Sequence, residues 1–164
     1  MLRISYGPTA NLAYVRRDDP LMVIAFHDRD RRPSDALFHR DVASALLVAA
    51  NDEEEGPDAL TEAQATTIAA FAQAASDADT DLYVCCDGGI GRSAACMAAI
   101  LWATTNPEYA DDAVFSRGDV APNRHVFDLV REALLGSADE DEAAAIEKLF
   151  ERQRQLFDEF HATD

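Results

Sequence analysis

Lysine is nearly missing from this chain. Lys148 is the only one among 14 basic residues, which face 31 aspartates and glutamates in 164 residues and leave a formal net charge of −17. A field of that sign repels nucleic-acid backbones and anionic lipid surfaces, which argues against a partner of either kind. There is no apolar run long enough to cross a bilayer, and the first residues lack the basic-then-apolar pattern of a secretory leader. Cysteines number only three, an odd count, with no C-x-x-C pair. Free thiols in a soluble, cytoplasmic protein are therefore expected. No His/Cys spacing suits a metal: His39 and His125 stand alone, so neither metal nor cofactor is expected. Abundant acid with almost no lysine also points to a salt-rich cytoplasm, that of a halophile or of its virus, where ions screen the surface.

Glycine is scarce too, with seven in all, and three of them crowd into residues 88–91. They belong to Cys86-Asp87-Gly88-Gly89-Ile90-Gly91-Arg92-Ser93, which follows the apolar run Leu82-Tyr83-Val84 and precedes the apolar stretch Ala94–Leu101. The pattern reads as strand, loop, helix. Glycines let backbone N–H groups approach a tetrahedral anion closely, and a helix beginning near Arg92 points its positive end at the same spot. Arg92 supplies a planar fork for two oxygens. A positive field favours the thiolate of Cys86, the form that is nucleophilic. The Ser93 hydroxyl is placed to hydrogen-bond the sulfur and ease its departure from a covalent intermediate. Asp87, Gly88, Gly89, Ile90 and Gly91, with Arg92, thus form a candidate oxyanion cradle.

Cys-x5-Arg-Ser between a strand and a helix resembles the phosphate loop of the cysteine-based protein tyrosine and dual-specificity phosphatase superfamily. The likeness extends over Asp81–Leu101 and to Pro122-Asn123-Arg124-His125-Val126-Phe127, which resembles a helix start in small phosphatase-like proteins of bacteria and their viruses. Two departures stand out: Cys85 occupies the place before the nucleophile that is usually histidine, and Asp87 sets a carboxylate beside the loop. The resemblance implies Cys86 as nucleophile, Arg92 and Ser93 as its partners, no cofactor, and a phosphorylated protein or peptide as substrate. It also implies a general acid on an upstream loop. Ala45–Ala50 reads as a buried strand that empties into Asn51-Asp52-Glu53-Glu54-Glu55-Gly56-Pro57-Asp58. Asp52 lies 34 residues before Cys86, about the separation the resemblance implies, and Asp58 lies 28 before it as a reserve candidate.

The remaining chain supplies a frame. Its length suits one domain, residues 1–164, and its 48% apolar share suffices for a core. Strands are expected at 2–6, 21–26, 45–50 and 81–86, and helices at 61–75, 92–105, 122–135 and 139–161. That order predicts an α/β fold, a central, mostly parallel sheet flanked by helices, with a helix-rich C-terminal half. Thr61 and Gln64 have the spacing of a capping box, and Pro122 reads as the first turn of a helix. Ile146, Leu149, Phe150, Leu156, Phe157 and Phe160 repeat at helical spacing. His27-Asp28-Arg29-Asp30-Arg31-Arg32 reads as a mixed-charge surface loop without a catalytic role, its arginines with Arg124 offering local positive charge. Strand alternation turns Cys85 away from Cys86, and Cys96 reads as core.

Two functions follow as expectations. One is a phosphomonoester hydrolase of the tyrosine or dual-specificity kind that passes through a phosphocysteine at Cys86. The alternative is a phosphatase-like module that keeps the cradle, lacks an effective acid and only binds phosphate or phosphopeptide.

Overall fold

The computed structural model describes residues 3–14, 21–33 and 42–162. Among these residues four strands form one sheet: β1 (Ile4–Pro8), β2 (Leu21–His27), β3 (Val42–Ala49) and β4 (Leu82–Cys86). All three pairings are parallel, in the order β1-β4-β2-β3. β4 is buried throughout and β2 everywhere except Met22, as expected of central parallel strands covered on both faces. Their unbroken apolar sequences, Leu-Tyr-Val-Cys-Cys and Leu-Met-Val-Ile-Ala-Phe, reflect that double burial.

The two outer strands are shifted from their expected positions. β1 occupies 4–8 where 2–6 was expected, residue 2 lying outside the described residues, and it runs on past Tyr6 because Gly7 and Pro8 pair with Cys85 and Cys86. Proline lacks an N–H and is tolerated there because the strand is an edge. β3 begins at Val42, three residues before the apolar run suggests, since pairing with β2 and not burial defines it; Ala43, Ser44 and Ala45 are exposed.

Among the described residues, five α-helices follow or separate the strands: α1 (Glu62–Asp77), α2 (Arg92–Thr104), the short α3 (Pro107–Ala110), α4 (Arg124–Leu135) and α5 (Glu140–Ala162). The Thr61–Gln64 capping box is present, with Gln64 N–H donating to Thr61 Oγ1 at 3.2 Å and Thr61 N–H to Gln64 Oε1 at 3.0 Å. The Gln64 amide also donates to the Ala49 carbonyl at 2.9 Å, which ties α1 to the end of β3. Pro122 is not in the first turn of α4: Asn123 is the cap, accepting from Val126 N–H at 3.0 Å, and the helix starts at Arg124. A 3-10 turn at Thr9–Tyr14, α3 and a π-helical turn at Asp111–Phe115 were not expected. They are short, so no apolar periodicity develops; only Asn106-Pro107, a cap followed by a first-turn proline, announces one of them.

The alanines of α2 let it lie close against the sheet, and its residues from Arg92 to Ile100 are all buried. Trp102, Phe115, Phe127 and Phe150 meet edge to face with ring centroids 5.0–5.9 Å apart, locking α2, α4 and α5 together. Alternation along β4 splits its side chains between two clusters. Leu82, Val84 and Cys86 face the helices, while Tyr83 and Cys85 join Leu12, Leu21, Val23 and Ala25 on the opposite face. The last residue of the central strand is thus turned toward the start of α2.

Candidate active site

Cys86 is the final residue of β4 and is almost fully buried. After five intervening residues the chain enters α2, and the second residue of that helix, Ser93, is completely buried. Helical side chains lean toward the N-terminus, so Ser93 reaches back across the loop. Its Oγ lies 3.1 Å from Cys86 Sγ.

The glycines of the loop have separate reasons to be glycine. Gly89 has φ +65°, and a Cβ there would fall 2.4 Å from the Pro8 backbone nitrogen, so β1 packs directly against the loop. A Cβ on Gly91 would fall 2.4 Å from Asp52 Oδ2, so the missing side chain is what admits the carboxylate. Gly88 meets nothing nearer than 3.6 Å. Asp87 is exposed, and Ile90 lies at the rim with 43% of its surface exposed.

Arg92 is only 4% exposed. Its Nη1 donates to Asp28 Oδ1 and to the Ala50 carbonyl, each at 2.8 Å. Its Nε is buried with no hydrogen-bond partner among the described residues. A buried guanidinium N–H without an acceptor is costly, and an anionic oxygen is the strongest acceptor it could take.

The acidic loop brings one of its two candidates to this place. Asp52 Oδ2 faces Gly91, and its Oδ1 accepts from Asn123 Nδ2 at 2.8 Å. A cavity of ≈ 220 Å³ opens between Asp52, Pro122, Asn123 and the α5 residues Phe150, Gln153 and Phe157. Asp58 closes the loop instead: its carbonyl accepts from Asn51 N–H at 2.8 Å, and its carboxylate lies 3.5 Å from Arg29.

Two residues at the site carried no assigned role in the sequence. Asp28 was read as part of a surface loop, yet it holds Arg92; the readable signal was its place just beyond the carboxyl end of a central parallel strand. Asn123 appeared only within a helix start, yet it touches Asp52. Other candidates are drawn elsewhere. Arg124 pairs with Asp128 and Glu147 and lies over the Phe150 ring. His125 contacts the Leu60 carbonyl at 2.7 Å, and His27 the Asp28 carbonyl at 2.8 Å. His39 lies outside the described residues. No cluster of three or more His, Cys, Asp or Glu suited to a metal occurs among the described residues. None of their helices is long and apolar enough to cross a membrane.

All three cysteines are unpaired and buried. Burial pushes the Cys85 thiol up to about 12; the nearby Thr9 hydroxyl opposes this, and the neighbouring Cys86 and Asp87 add to it. Burial likewise pushes Cys96 upward, with Cys86 adding. Both are core groups, as alternation and helical position suggested.

No family model and no curated protein matches this sequence. Solved structures do. A mouse putative dual specificity phosphatase complexed with zinc tungstate aligns with a TM-score of 0.60 at 16% identity, covering 89% of this chain and 86% of that one. Human tyrosine phosphatase-like serine/threonine/tyrosine-interacting protein aligns at 0.58 and 16%, covering 79% and 89%. Human DUSP28 aligns at 0.56 and 20%, covering 90% and 94%. The fold is that of the cysteine-based tyrosine and dual-specificity phosphatases. Within this phosphatase fold, Cys86 ends the central strand, Arg92 opens the following helix and Asp52 arrives from the loop after β3, all at the carboxyl edge of the parallel sheet.

Proposed function

We propose that the protein is a phosphomonoester hydrolase, a tyrosine or dual-specificity phosphatase, working through a phosphocysteine at Cys86. The observation that carries this reading is the 3.1 Å contact between Cys86 Sγ and Ser93 Oγ across a glycine loop that ends in the buried Arg92, whose Nε has no hydrogen-bond partner among the described residues. In the first step the Cys86 thiolate attacks phosphorus and the bond to the leaving oxygen breaks. Asp52 gives that oxygen a proton, while Arg92 and the loop N–H groups take up charge on the equatorial oxygens. In the second step water attacks the phosphocysteine, Asp52 receives the water's proton, and the P–S bond breaks. Ser93 then stabilises the returning thiolate. Phosphorylated protein or peptide is the substrate class this reading names, with no cofactor in either step.

Phosphate release from para-nitrophenyl phosphate, with Cys86→Ser as control, tests the reading. Turnover abolished by the substitution supports it. A folded wild type that binds phosphopeptide in low or molar salt and never releases phosphate replaces it with the binding module.

A further inference from the structure

In the proposed mechanism Asp52 protonates the leaving oxygen, so the body of the leaving group lies against whatever surrounds Asp52. What surrounds it is the cavity of ≈ 220 Å³, one wall of which belongs to α5. The α5 residues on that wall differ in how far they are already used. Gln153 gives its amide to the carbonyls of Arg117, at 3.1 Å, and Val120. Phe150 is 5% exposed and belongs to the aromatic core. Arg154 is exposed and Phe157 half-buried, and a spacing of three makes them neighbours on one helix face.

Arg154 stands apart from the other arginines of this half of the chain. Arg92 is held by Asp28, Arg117 by Asp119, Arg124 by Asp128 and Glu147, Arg131 by Glu142, and Arg152 by Asp111. Arg154 has neither a hydrogen bond nor an ion pair among the described residues, although acidic side chains outnumber basic ones 31 to 14. Arg124 also lines the cavity, but two carboxylates answer its charge and its guanidinium lies 4.7 Å over the Phe150 ring. Of the acidic groups on the cavity, Asp52 enters the first step protonated and adds no charge to it. Glu54 is exposed and unpaired with Arg154, and it limits how tightly an anion is held there.

A guanidinium fork takes a planar carboxylate through two parallel N–H bonds. We infer that Arg154 is a specificity-determining residue, which pairs with an acidic side chain next to the phosphorylated residue of a peptide substrate. The helix α5 then reads the sequence around the phosphate, while Cys86 and Arg92 act on the phosphate itself. This rests on the proposed phosphatase reading, with Asp52 on the leaving-group side.

Three phosphotyrosine peptides of one background, with glutamate, glutamine or lysine on both sides of the phosphotyrosine, test the assignment at about 0.1 M salt, where the screening length is roughly 10 Å. Wild type, Arg154→Gln, Arg154→Glu and Lys148→Gln are compared by kcat/KM, each checked for folding by near-UV circular dichroism. The same four in a Cys86→Ser background are compared by fluorescence anisotropy, which reads recognition without turnover. Lys148→Gln removes the same charge from the same helix at a different cavity, beside Trp102 and Leu149, and so controls for the net field.

Wild type is expected to favour the glutamate over the glutamine peptide about two- to fivefold more than Arg154→Gln does, the range of an exposed ion pair. Arg154→Glu should turn the preference toward the lysine peptide, and Lys148→Gln should keep the wild-type ratio. Equal ratios in wild type and Arg154→Gln, or an equal fall in Lys148→Gln, overturn the assignment and leave the hydrolase reading intact. Discrimination in binding, with no turnover by the folded wild type, supports the Arg154 site and replaces the hydrolase by the binding module. Neither binding nor turnover of any peptide overturns both.

Discussion

Arg92 Nη1 lies 2.8 Å from Asp28 Oδ1, although 64 residues separate the two in the chain. The pair joins the end of the central strand β2 to the first residue of α2, and Ala50, just past β3, completes the anchor through its carbonyl. Removing the carboxylate leaves a buried cation with one acceptor fewer. Asp28→Ala is expected to destabilise the protein by about 1–3 kcal/mol, and Asp28→Asn, which keeps an acceptor oxygen, by less. Urea unfolding of the two variants measures the difference; equal losses would mean that the oxygen at this position does not hold Arg92.

Ser93 contacts only the sulfur side of the proposed reaction, so its loss should show in the second step. For Ser93→Ala, a burst of para-nitrophenolate followed by a steady rate on the order of tenfold below wild type is expected, because the phosphocysteine accumulates when the thiolate departs slowly. Rapid-quench kinetics reads both phases. A uniform slowing without a burst would place Ser93 outside the breakdown step.

Gly89 and Gly91 look alike in sequence and should fail differently. Gly89→Ala sets a Cβ against backbone at a positive φ and is expected to lose about 1–3 kcal/mol of stability. Gly91→Ala meets a side-chain carboxylate rather than backbone, at a negative φ, and should fold almost as well. Its defect is expected in turnover of phenyl phosphate, through displacement of Asp52. Thermal unfolding alongside leaving-group kinetics separates the two.

Alkaline stability follows from the buried hydroxyl and thiols. Burial pushes Cys85 from 9.0 up to about 12 and Tyr83 from 10.0 up to about 12. The folded protein therefore holds protons that the unfolded chain releases, and the stability this confers is complete below pH 9 and lost as pH rises through 9–12. The urea midpoint should fall over that range, and less steeply for Cys85→Ala. An identical slope in the variant would show that Cys85 does not contribute.

Phosphorylated substrates meet a protein of net charge −17. Raising potassium chloride from low to molar concentration is expected to lower KM for an acidic phosphopeptide, since screening weakens the repulsion beyond the cradle. The same titration followed by near-UV circular dichroism tests the halophilic origin expected from composition: folding that improves with molar salt supports it, and loss of fold at high salt overturns it.

Much of the architecture was legible because burial and periodicity are local. The apolar runs of β2 and β4, the small-residue stretch of α2 and the Thr61–Gln64 box each declare themselves within a few residues. Edge strands were displaced because their limits depend on pairing: Gly7 and Pro8 are strand residues only by virtue of Cys85 and Cys86 opposite them. Asp28 read as one charge in a surface loop, since nothing near it in sequence reveals an arginine 64 residues away.

Composition and spacing alone determined the acidic surface, the α/β class and the loop from Cys86 to Ser93, because a glycine-rich turn between a buried strand and a helix constrains its own backbone. Tertiary structure alone decided which carboxylate reaches that loop, and why. The resemblance favoured Asp52 over Asp58 by its separation from Cys86, but no local feature separates the two; Asn123 holds the first against Gly91 while Arg29 and Asn51 hold the second away. A hydrogen bond of 2.8 Å between residues 71 apart exists only after the sheet and α4 have packed, so no local rule could have announced it.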